Sequence, residues 1–144
     1  MELEGEAARL AKRPVTFMRL TGLAVGRFRA LLAEVEPLLA RAERKRLNRR
    51  ERQRGIGAGN AYDLPLCDRL LMTLIYYRTY VSQEFLGYLF DLNAGNVCRN
   101  MARLRPVLAQ VFRIQERRIK ANPEDIATLF LTGRNSASIG RKAA

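Results

Sequence analysis

The sequence predicts an all-α fold: a small helical bundle with a helix-turn-helix, preceded by an amphipathic helical arm. Three observations carry this prediction. Apolar residues recur every three or four positions from Val25 to Leu39, again from Leu66 to Val81, and again from Val107 to Ile114, which is the period of one helix face. No segment requires a strand. Between Ser82 and Arg99 the chain reads as a short helix, a tight turn and a second helix.

Residues 1–22 are the least determinate: Glu6 to Lys12 fits one short helix, with Pro14 as its stop. From Val25 the positions Phe28, Leu31, Leu32, Val35, Leu38 and Leu39 form an apolar stripe. Pro37 lies within that stripe, so either the helix kinks there or a second helix opens with Pro at its first position. Gly55-Ile56-Gly57-Ala58-Gly59-Asn60 then breaks the pattern as a flexible joint. No strand precedes that glycine run and no Gly-Lys-Ser/Thr follows it, so it is not a nucleotide-phosphate loop.

Asp63 is placed to cap a helix starting near Pro65. Leu66, Leu70, Leu74, Tyr77 and Val81 make one stripe, and Cys67, Leu71 and Ile75 broaden it, as in the central helix of a bundle. Tyr76, Tyr77 and Tyr80 suit packing better than stacking on bases. Ser82 caps a helix from Gln83 to Phe90, and Asn93 caps the next, which is expected to end at Arg105 before Pro106. A further helix is expected from Pro106 to Arg118, and Asn122-Pro123-Glu124-Asp125 opens another through Ile126 to Leu131. The polar residues after Gly133 read as a disordered tail. This gives residues 1–60 as a helical and basic arm with its joint, 61–120 as the helix-turn-helix domain, and 121–144 as a short helix and tail.

Within the helix-turn-helix, Gly87 falls where the two helices must touch, since no larger residue lets their backbones approach closely. Asp91 stands at the turn, where φ above zero is needed. Leu86, Phe90, Leu92 and Val97 are the apolar pegs around them. Such a motif sets its second helix into the major groove of DNA. The charge is consistent with that use: 26 Lys plus Arg against 14 Asp plus Glu give +12, and 22 of the 26 cations are Arg. Arg grips phosphate or guanine with two hydrogen bonds, although a genome rich in G and C also enriches Arg. Arg41 to Arg54 alone holds eight cations and two acids, half the net charge, and is read as phosphate-contacting through Arg46, Arg49, Arg50, Arg52 and Arg54.

With Val97 facing inward, steps of about 100° per residue put Met101 and Leu104 inward too. Asn96, Arg99 and Arg103 then face outward, with Gly95. Arg99 is the first candidate for a guanine or phosphate contact, Asn96 the second as an adenine partner, and Asn93 and Arg103 complete the set. Asn100 sits where an apolar residue is usual, and a bond from its side chain to the backbone is one account of it.

The two cysteines, Cys67 and Cys98, both fall in apolar helical patterns and are read as buried thiols of a reducing cytoplasm. With two Cys and no His, zinc lacks ligands, and the usual neutral-pH general base is missing. No cofactor and no membrane span are expected.

Arg19-Leu20-Thr21-Gly22-Leu23, then Phe28, Leu31 and Leu32, then an Arg-rich segment ending in Gly-x-Gly-x-Gly, resembles the opening of bacterial insertion-sequence DDE transposases. So does Asp68-Arg69-Leu70-Leu71-x-x-Leu74-x-Tyr76-Tyr77-Arg78-x-Tyr80 followed by the helix-turn-helix, and the resemblance spans roughly Arg19 to Phe112. It implies binding of double-stranded terminal inverted repeats, with a second copy or a separately encoded catalytic domain as partner. The family's ribonuclease-H-like domain, with its three carboxylates, is not recognisable: after Glu116 only Glu124 and Asp125 are acidic, and both look like helix-opening residues. The expectation is therefore a non-enzymatic product. It is either the first frame of an element whose second frame encodes catalysis, able to inhibit transposition when made alone, or a decayed remnant. Two other readings stay open: a helix-turn-helix transcription regulator and a protein-interaction module.

Overall fold

The computed structural model describes residues 2–49, 64–113 and 122–132 of the chain. They form seven helices: α1 (Gly5–Ala11), α2 (Pro14–Thr21), α3 (Val25–Arg49), α4 (Leu66–Thr79), α5 (Gln83–Phe90), α6 (Ala94–Val111) and α7 (123–132). No strand occurs among the described residues.

The most apolar helix becomes the axle of the bundle. From Cys67 to Ile75 every residue of α4 is buried, and the helix touches α1, α2, α3, α5 and α6. One apolar core runs from Ala7 through Phe17, Phe28, Leu70, Leu86 and Val97 to Phe130. Phe17 and Phe28 meet edge to face at 5.1 Å, and Phe90 meets Phe130 at 4.9 Å. The helices before and after the helix-turn-helix therefore share its core.

Both internal prolines are bridged rather than obeyed. Pro106 does not end the helix at Arg105; α6 runs through it to Val111, and α3 likewise runs unbroken through Pro37. A proline forfeits the bond to the carbonyl four residues back. Those residues, Ala102 and Ala33, lie on exposed faces, where the freed carbonyl meets water. Meanwhile Val97, Met101, Leu104 and Leu108 keep one buried stripe across Pro106, and its apolar burial outweighs the lost bond. Phe112, expected within a further helix, is already extended at φ −144°. Ile114 to Arg118, like Asp63 and the glycine joint, lie outside the described residues.

Pro14 stops α1 and also opens α2, because its missing N–H is harmless at the first helical position. The N-terminus of α1 is held across the fold. Buried Asp68 accepts hydrogen bonds from the Glu6 and Ala7 backbone N–H groups at 2.9 and 2.8 Å. Gly5 makes that docking feasible: its φ is +60°, and a Cβ there would strike the Asp68 carboxylate. Burial pushes the Asp68 pKa up, while the bonds from Ala7 and Glu6 pull it back. Burial also raises the pKa of Cys67, whose sulfur bonds the Glu4 backbone. Cys98, by contrast, is exposed rather than buried, because it lies one step of about 100° past Val97, outside the buried stripe.

Candidate nucleic-acid interface

α5 and α6 are joined by a turn that each residue type in it explains. Ser82 opens α5, its hydroxyl oxygen accepting from the Phe85 N–H at 3.0 Å. Asp91 ends the helix in the left-handed region at φ 58°, a conformation its short polar side chain tolerates. The N–H groups of Asp91 and Leu92 both turn back to the Gly87 carbonyl, closing the helix end. A Cβ on Gly87 would collide with the Leu92 carbonyl oxygen, so the close approach is between α5 and the turn itself. Leu86, Phe90 and Val97 are buried around it, with Leu92 partly so.

Asn93 then caps α6, its Oδ1 accepting from the Asn96 N–H at 2.8 Å. Asn96 in turn accepts from Arg99, whose guanidinium lies beside Gly95, about 3.5 Å from where a Cβ would sit. This chain of bonds draws the Arg99 charge back toward the helix N-terminus. That end already carries positive potential, so the placement costs energy in isolation and attracts an anion. Asn96 and Arg103 are half-buried, while Arg99 and Asn93 are exposed, and all four gather about the opening turns of α6 and one flank beyond them. The Asn96 oxygen already accepts from Arg99, and holding Arg99 is the role it has in this structure. Asn100 is buried and donates through Nδ2 to the Asn96 carbonyl at 2.8 Å, while its Oδ1 is buried with no hydrogen-bond partner among the described residues.

The basic run is less clearly organised. Arg46 is half-buried on α3, with its Nε shielded from solvent. Arg49 ends the same helix. Arg50, Arg52 and Arg54 lie outside the described residues. Tyr76 packs against the core and against the rings of Tyr77 and Tyr80.

A second cationic group was not visible in the sequence. Arg105 leaves the other flank of α6 and donates to the Tyr77 hydroxyl at 3.3 Å, a bond that raises the guanidinium pKa further. Arg78, Arg113 and Arg27 lie around the same corner. These residues come from α4, α3 and just past the end of α6, so no local spacing announces them.

A helix-turn-helix with a charged, exposed second helix belongs to several DNA-binding families. Residues 62–114 match the family model described as the helix-turn-helix of DDE superfamily endonuclease. This segment is a transposase-type helix-turn-helix. The match contains α4, α5 and α6 whole and supports DNA binding. No curated protein and no solved structure matches the chain. The matched part of the family is its DNA-binding part. Among the described residues, no three of His, Cys, Asp and Glu come together to hold a metal ion, and no helix is long and apolar enough to cross a membrane.

Proposed function

We propose that the chain binds double-stranded DNA sequence-specifically, at the terminal inverted repeats of an insertion sequence, as the DNA-binding part of a transposase. The observation that carries this reading is the Asn93–Asn96–Arg99 chain of bonds at the start of α6, within a transposase-type helix-turn-helix. It presents one oriented guanidinium where a groove-reading helix makes its base contacts. Cutting and joining DNA is assigned to the catalytic domain of such a transposase, and this helix-turn-helix supplies the address. The setting is the cytoplasm, where the element's DNA resides.

The test is selection of bound duplexes from a random pool by the full chain, followed by comparison with the DNA flanking its gene. Enrichment of one motif that recurs, inverted, on both sides of the gene supports the proposal. Enrichment of a motif confined to promoter regions transfers the chain to the regulators. Absence of any enrichment, with retention of all duplexes alike, removes the sequence-specific reading.

A further inference from the structure

Where the C-terminal end of α2 meets the last turns of α4 and α6, a cleft of about 130 Å³ opens, lined by Gly22, Leu74, Tyr77, Arg78, Phe112 and Arg113 among others. Four guanidinium groups stand in or around it. The Arg78 Nε donates to the Arg19 carbonyl at 3.3 Å, which lays the guanidinium over Gly22. The Arg27 guanidinium lies 5.9 Å from the centre of the Phe112 ring. Arg105 is anchored on the Tyr77 hydroxyl. Arg113 is exposed just beyond the end of α6. No carboxylate is among the described residues lining the cleft.

Such a concentration of cations from α3, α4 and the end of α6 is repulsive by itself and favours a polyanion. Its position on α6 narrows the choice. At about 100° per residue, Arg105 points about 160° away from Arg103, so the two mark opposite flanks of the same helix. A helix of 10–12 Å diameter lying in a major groove about 12 Å wide turns its two flanks toward the two sugar–phosphate walls.

We propose that the Arg78–Arg105–Arg113 cleft is a second contact to the DNA backbone, gripping phosphates of the strand opposite to the one that Arg103 faces. Phe112 and Tyr77 give the deoxyribose an apolar wall. The contact is indifferent to base sequence and fixes how α6 sits in the groove. It rests on the duplex-binding reading above.

The experiment uses the full chain and a fluorescent 30-base-pair duplex of random sequence, with affinity measured from about 50 to 200 mM KCl. Each lost phosphate contact should make the slope of log K against log salt shallower by about 0.9. Arg105→Gln with Arg113→Gln should therefore reduce it by about 2 and weaken all duplexes alike. Lys12→Gln with Arg13→Gln removes the same charge at the other end of α2, about 12 Å away along that helix, and should leave the slope within about half a unit. Should the double cleft variant melt early, Arg113→Gln alone, outside the helices, should still lower the slope by about 1. A cleft variant with the wild-type slope, or equal changes in the cleft and control variants, overturns this site and leaves the duplex-binding reading intact. An unmodified chain that binds no duplex overturns both.

Discussion

The two flanks of α6 are basic for different reasons. On one, Asn93, Asn96 and Arg99 are joined by hydrogen bonds between residues three apart, so the group assembles as soon as the helix forms. On the other, Arg105 has its partner 28 residues away on α4, and Arg27 and Arg78 reach the corner only through the packing of α2, α3 and α4. The first flank is a property of a segment, the second a property of the bundle. Two basic faces can thus share one helix yet depend on separate parts of the fold.

Gly87→Ala should have the largest effect, because it disrupts the turn on which the Asn93–Asn96–Arg99 flank is built. The added Cβ meets the Leu92 carbonyl, a backbone atom with no rotamer to escape into, and a cost of about 2–4 kcal/mol is expected in urea unfolding. Stability within about 0.5 kcal/mol of the parent would mean that α5 and the turn do not approach so closely.

Arg99→Ala separates reading from gripping. On the selected duplex it should cost about 1–3 kcal/mol, with little change on random DNA. Equal losses on both would make Arg99 a phosphate contact. Asn96→Ala should cost less, and a double-mutant cycle between the two should show coupling of about 0.5–1 kcal/mol if Asn96 acts by holding Arg99. Additive losses would mean that each meets DNA independently.

Asn93→Ala removes the cap of α6 and should lower stability by about 1 kcal/mol. Its effect on affinity should appear on the Arg99 side and not in the salt slope that reports Arg105 and Arg113. The smallest expected effect is at Asp68, against the start of α1. Its folded pKa is raised above 3.8, so its contribution to stability is fully present below that value and is lost as pH rises through the folded value. The stability difference between the parent and Asp68→Asn should drift in that sense with pH and flatten above it. A difference constant from pH 3.5 to 7 would mean that the Ala7 and Glu6 bonds offset burial and the folded pKa is not raised.

Much of the helix-turn-helix was legible because its signals are local. Ser82 and Asn93 cap by bonding amides three residues on, Asp91 tolerates a left-handed φ, and the stripe from Val97 to Leu104 follows helical period. The misreadings are equally physical. Pro106 is a breaker by propensity, but burial on the opposite face carries α6 through it, and of the two readings of Pro37 only a second helix starting there is ruled out. Its apolar context points Cys98 to the core, but the helix turns it outward.

The helical class, the caps at Ser82 and Asn93, the turn at Asp91 and the choice of Arg99 as a candidate were readable from the chain alone, because each follows from interactions within a few residues. Only the tertiary structure decided that Asp68 would dock the start of α1 and that α1 to α3 would share the core of the helix-turn-helix. It also decided that arginines scattered from Arg27 to Arg113 would meet around Tyr77 and Phe112. Those contacts join residues tens of positions apart, and no local rule encodes a distance that only the packing of whole helices sets.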